Sequence, residues 1–195
     1  MSGIPMTMLI IFSAFTMNLM IQCGLGIKGI AESKKYCLIT TVVKLGIIFV
    51  VVILLWLLFS RIIFSVFPGT LVYVLLFPVS FIVYEGFEFL FFQYISKKDT
   101  NEESFVNFPG GITAVAVFIC INVANNFLET AVLSFGFTAG ILLVFMIIRE
   151  IRIRAALESV PRFIRGKPLV LITMGMLSLV FSVGSILLIR MIDIR

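Results

Sequence analysis

Glu85 and Glu88 stand three residues apart inside a long apolar run, a spacing that puts both carboxylates on one helical face. In a helix crossing lipid, such a face suits cation binding or proton relay. An intramembrane charge costs about 2.5–3.5 kcal/mol and tends to face the bundle interior or an ion path. Lys44 and Glu129 also fall within or at the edge of apolar segments. The structural alternative is that the carboxylates pair with Lys44 or snorkel toward Lys97 and Lys98. Glu88 lies about 13 Å along a helix from Lys97, which is long for snorkelling. Other chemistry is sparse. The chain has three cysteines, Cys23, Cys37 and Cys120, with no CxxC pair and no histidine. That weighs against a self-contained zinc or haem site and against a disulfide framework. Gly24-Leu-Gly-Ile-Lys-Gly29 lacks the GK[ST] ending of a phosphate-binding loop. No nucleophile stands beside a base, so a stand-alone enzyme is not indicated.

The elements that must position these residues follow from composition. Apolar residues make up 61% of 195 positions and charged residues 13%, against about 45–50% and about 25% in soluble domains. A chain this short cannot hide the excess in one core, so the surplus faces lipid. We expect one integral membrane domain over residues 1–195. The first apolar segment follows no basic stretch and precedes no small-residue cleavage motif, so it is expected to remain as a span. The net charge of +5 comes mainly from loops, with no aromatic-interleaved basic patch, and nucleic acid is not an expected partner.

A crossing needs roughly 20 apolar residues for about 30 Å of hydrocarbon. Six segments satisfy or approach that length: 5–21, 36–58, 70–94, a weak one at 105–123, 127–148 and 168–189. The first ends in Gln22 and then Cys23 to Gly29, and the fourth opens with Phe108, Pro109, Gly110 and Gly111. Glycine and proline predict that both stretches unwind. Unwound backbone at membrane depth needs protein or a water-filled cavity to satisfy it. Interrupted segments at matching places in two halves point to an inverted repeat with its site at the midplane. The predicted fold is therefore all-α, six transmembrane helices in a 3+3 inverted repeat. Its halves run from about 1 to 95 and 105 to 195, with helices one and four broken. Two tight loops beside marginal helices are the plainer alternative. Asn18, Asn122, Asn125 and Asn126 flank the interruptions and are expected to bond freed backbone groups. Gly136, Gly140, Gly175 and Ser178 suit close helix packing.

Basic residues orient the chain. Lys28, Lys34, Lys35, Lys97, Lys98, Arg149, Arg152, Arg154, Arg162, Arg165 and Lys167 fall in loops on one side. The other side has Arg61, Arg190 and Arg195. Basic loops favour the cytoplasm, which predicts both termini outside.

The stretch from Val160-Pro161 through Arg165-Gly166 into Leu171-Ile172-Thr173 and Leu177-Ser178-Leu179 resembles the last helix of one membrane-protein family. That family is the six-helix membrane subunits of the Rnf and Nqr ion-translocating electron-transport complexes. Asn126-Phe-Leu-Glu-Thr-Ala131 with Phe135-Gly-Phe-Thr-Ala-Gly140 is similar to the family's start of helix five, and Ile148-Arg-Glu150 to its end. Asn18 through Gly26 to Ser33-Lys34-Lys35 resembles the broken first helix and the turn after it. Glu88 falls where those subunits carry a late helix-three glutamate. The resemblance implies the cytoplasmic membrane of a prokaryote and redox and membrane partners. Among these it implies a homologous subunit of opposite topology. It also implies a [2Fe-2S] centre shared between paired subunits, each giving one cysteine from each half-helix. This sequence departs from that pattern: the two ligand places fall on Lys28 and Ala116, with Cys23 and Cys120 about 6–7 Å away along a helix. The resemblance thus implies a divergent subunit that binds no cofactor itself and serves as scaffold or ion path. Two alternatives stay open: a stand-alone small transporter on the same fold, or a redox subunit holding a cluster through Cys23 and Cys120 with a partner.

Overall fold

A computed structural model of the protein describes residues 6–22, 38–63, 69–94, 109–157 and 167–193. Cys23, Gly24, Gly26, Lys28 and most of the basic loop residues lie outside the described residues. Every described element is helical. The first segment is α1 (Met6–Ile11), a π-helical stretch (Phe12–Thr16) and α2 (Leu19–Gln22). Then come α3 (Leu38–Leu58), which runs on into a π turn at Phe59–Ile63, and α4 (Gly69–Tyr94). α5 (Pro109–Val123), α6 (Phe127–Leu157) and α7 (Lys167–Asp193) complete the fold.

Four stretches are long and apolar enough to cross a bilayer: Thr41–Arg61, Val72–Phe91, Phe127–Ala155 and Pro168–Leu187. The chain is a multi-pass membrane protein. α5 has 15 residues, about 22 Å of helix, which falls short of a full crossing. α6 continues well beyond the apolar run that ends at Ile148. Its polar end keeps helical spacing, and Arg154 Nε donates to Glu150 Oε1 at 3.0 Å across one turn.

α3 and α6 form the centre, with 44% and 50% of their spans buried against 17% for α4 and for α7. The first segment packs on α6 and α7, while α5 packs on α3 and α4. α3 also touches α4, α6 touches α7, and α3 and α6 pack on each other. Exchanging the first segment with α5, α3 with α6 and α4 with α7 leaves these pairings in place; α5 also touches α6 beside their turn, a pairing outside the exchange. An aromatic pair serves each outer junction. Phe15 stacks on Phe181 at 5.1 Å, and Tyr73 meets Phe118 edge-on at 5.6 Å.

Several buried hydroxyls bond carbonyls of their own helices, which spares them exposure to lipid. Ser80 donates to the Phe77 carbonyl at 2.9 Å, Thr113 to Gly110 at 2.8 Å and Thr173 to Val170 at 2.9 Å.

One expectation about breaks needs correction. Pro109, Gly110 and Gly111 do not unwind; they form the first turn of an unbroken α5 that also contains Ala116. Proline at the first helical position has no bonded N–H to lose and a φ already suited to helix. Gly110 packs so closely that an added Cβ would lie 2.5 Å from the Phe81 ring. Its glycine serves contact with α4, not unwinding. The first segment has a break at the π stretch and the Met17–Asn18 step; the unwinding expected from Cys23 to Gly29 lies outside the described residues.

Candidate functional site

The predicted carboxylates separate on α4. Glu88 turns toward α3, where its Oε1 lies 2.7 Å from Lys44 Nζ, and both side chains are largely covered, at 19% and 16% exposure. Glu85, one turn earlier, is exposed. The alternative in which Lys44 is the partner therefore describes Glu88 and not Glu85. Tyr84 is fully buried four residues before Glu88 on the same helical face. The tyrosine is legible from this spacing and is not among the residues singled out in the sequence. Chemically, the Lys44–Glu88 pair is a neutral unit at membrane depth. A cation reaching Glu88 has to displace the lysine ammonium.

Of the four asparagines, Asn18 and Asn122 bond backbone through their side chains. Asn18 is buried; its Nδ2 donates to the Ala14 carbonyl at 3.0 Å and its Oδ1 accepts from the Ile21 N–H at 3.4 Å. Asn122 donates to the Phe118 carbonyl at 2.7 Å and accepts from the Tyr73 hydroxyl at 3.2 Å. Asn125 and Asn126 form the turn between α5 and α6. Glu129 in the first turn of α6 accepts from the Asn125 N–H at 2.8 Å, and Thr130 bonds the Asn126 carbonyl. Glu129 is thus a helix cap.

Gly136 and Gly140 face the π stretch. A Cβ at Gly136 would collide with Ser13, and one at Gly140 would lie 2.6 Å from the Ala14 carbonyl oxygen. The bulged backbone of the first segment is seated directly on these two glycines. Gly175, in contrast, has open space around it.

Cys120 is fully buried in the apolar core, one turn beyond buried Ala116 on α5. Among the described residues no three His, Cys, Asp or Glu side chains come together as a metal site. A two-iron centre needs four protein ligands, and the described residues do not fit one by themselves. Cys23, its suggested companion, lies outside them. A cavity of about 280 Å³, unforeseen from the sequence, opens between the end of α3 and the α5–α6 turn. Its lining is Trp56, Ser60, Ile121, Ala124 and Asn125. The only tryptophan of the chain, one turn from a span's end, is its visible signal.

Comparison with known proteins finds similarity over part of the chain. The A subunit of the ion-translocating oxidoreductase complex of Pectobacterium atrosepticum is 38% identical over 65 residues, 33% of this chain and 34% of that protein. Proteins of the same name from Yersinia enterocolitica and Serratia proteamaculans are 43% identical over 61 residues, 31% of this chain and 32% of each of theirs. The chain matches about a third of the length of these curated relatives. No family model matches it, and no solved structure does.

Proposed function

We propose that this chain is an integral membrane subunit of an Rnf/Nqr-like ion-translocating electron-transport complex, serving as scaffold or ion path without an iron–sulfur centre of its own. The observation that carries the reading is identity of about 40% to the A subunits of ion-translocating oxidoreductase complexes, within a multi-pass helical chain. The interchangeable packing of the first segment, α3 and α4 with α5, α6 and α7 supports a 3+3 inverted repeat. In this reading the single domain has halves of about 1–95 and 105–195. The basic loops lie in the cytoplasm of a prokaryote, both termini lie outside, and a homologous subunit of opposite topology stands among the partners.

Glu88 is the carboxylate we assign to the ion path, because Lys44 holds it in a compensated state inside the bundle from which an incoming cation can take it. Glu88→Gln is expected to lower ion translocation while leaving assembly intact; unchanged translocation rejects the assignment. The complex-membership reading itself is tested by purifying the protein in mild detergent and measuring iron and co-purifying proteins. Iron-free protein among flavin and iron–sulfur subunits is the expected result. Iron lost on Cys23→Ala or Cys120→Ala would make the chain an electron carrier. A stable homo-oligomer alone would make it a transporter.

A further inference from the structure

We propose that the outer face of α4 formed by Ile82, Glu85, Gly86 and Phe89 is the docking seam for a transmembrane helix of another protein of the complex, one that carries a lysine or arginine at the depth of Glu85. The inference rests on the complex-membership reading and names the surface and the chemistry that joins this chain to a neighbour. Residues 82, 85, 86 and 89 are spaced by three and four, so they make one stripe along the helix. All of them are exposed, Ile82 and Phe89 at 69% and 67%.

The stripe lies inside the span Val72–Phe91, and Phe87, Phe89, Leu90 and Phe91 continue the apolar run beyond Glu85. Hydrocarbon offers a carboxylate no hydrogen bond, and charged residues within spans normally face protein or a water-filled path. Glu88 meets that need with Lys44. Glu85 has no ion-pair or hydrogen-bond partner among the described residues. Gly86 gives a partner room, since an added Cβ there would meet nothing within 4 Å. Glycine on a helix face lets a second backbone come close enough for a side chain to reach across.

Charge selects the occupant. Acyl chains supply no counter-charge. A second copy docking on the same seam about a two-fold axis parallel to the helices would set Glu85 against Glu85, which repels. Lys97 and Lys98, the next cations along the chain, stand at least twelve residues on, about 18 Å along a helix, so the complement we assign is a cationic side chain on a different helix.

The test uses the full-length protein in its native membranes, with the photoreactive residue benzoyl-phenylalanine replacing Ile82, Phe89 or, as an off-seam control on α7, Leu179. Cross-linked peptides are identified by mass spectrometry. Positions 82 and 89 are expected to capture the same transmembrane helix, bearing a lysine or arginine within one turn of the cross-link. Glu85→Gln should lower that yield about three- to tenfold, the range of interhelical polar contacts in membranes. Glu85→Lys should abolish it, and changing the partner's basic residue to glutamate should restore it. Capture of lipid alone, of a second copy, or of a helix without a basic residue overturns the proposal, as does an unchanged yield with Glu85→Gln. Redox subunits that co-purify yet cross-link only through position 179 sink this seam and leave the complex-membership reading standing. A chain that purifies with no other protein sinks both.

Discussion

The first segment and α5 play corresponding parts in the packing, yet they are built differently. Each is short in its described residues, and each touches a central helix and a peripheral one. Each is tied to the peripheral helix by an aromatic pair and ends near an asparagine that bonds a carbonyl four residues back. The first segment is broken by a π stretch and α5 is not. The difference lies in what each meets. α5 puts Gly110 under a phenylalanine ring, which is a side chain and can turn. The first segment lays its own backbone on Gly136 and Gly140 of α6. Close backbone contact fixes its path, and the π stretch supplies the extra residue needed to follow it. Helix breaks here are decided by the surface a segment lies on, not only by its own glycines.

The largest expected effect tests that contrast. Gly140→Val places a branched side chain against the Ala14 carbonyl and should cost about 3 kcal/mol, the upper part of the overpacking range. Gly110→Ala should cost about 1 kcal/mol or less, because Phe81 can rotate toward lipid and alanine gains helix propensity. Reversible unfolding in mixed micelles measures both, and equal losses would erase the distinction. Next comes Lys44→Met at the α3–α4 junction, which strands Glu88. We expect a loss of about 2 kcal/mol, below the full insertion cost because the carboxylate is partly exposed. The double change with Glu88→Gln should recover most of it. If the double variant is no better than the single, the lysine stem and not the charge holds the junction. Asn18→Ala should cost about 1–2 kcal/mol, since it leaves buried backbone groups at the break unbonded. Asn122→Ala should cost less than about 1 kcal/mol, because Asn122 is exposed beside the α5–α6 turn. Equal losses would mean that the continuous helix depends on its asparagine as much as the broken one.

Much of this is legible in the sequence, for identifiable reasons. The long apolar runs mark α3, α4, α6 and α7 because lipid imposes a length that few other constraints mimic. The asparagines announce backbone bonding, and charge alone makes Lys44 a candidate partner for a carboxylate, a contact that measures 2.7 Å to Glu88. The break expected at 109–111 is misplaced because proline and glycine have two uses. Pro109 reads as a breaker but opens a helix, and Gly110 reads as flexible but allows contact. The π stretch at Phe12–Thr16 leaves no composition signal, since its cause lies more than a hundred residues away at Gly136 and Gly140. The polar end of α6 is cut short because the crossing length measures lipid and not helix. Glu85 and Glu88 read as one site from their shared face, and only the position of α3 separates them.

The smallest expected effect concerns the glycines that neither short segment touches. Gly46 on α3 and Gly175 on α7 sit within helices, and an added Cβ at either would meet nothing within 4 Å. If glycine in this fold is required only where another element approaches closely, then Gly46→Ala and Gly175→Ala remove backbone freedom without a collision. Each should stabilise the protein by about 0.5–1 kcal/mol in the same micelle unfolding experiment. A loss at either position would show that the glycine is needed for something other than close approach by another element of this chain, and would break the rule drawn from Gly136 and Gly140.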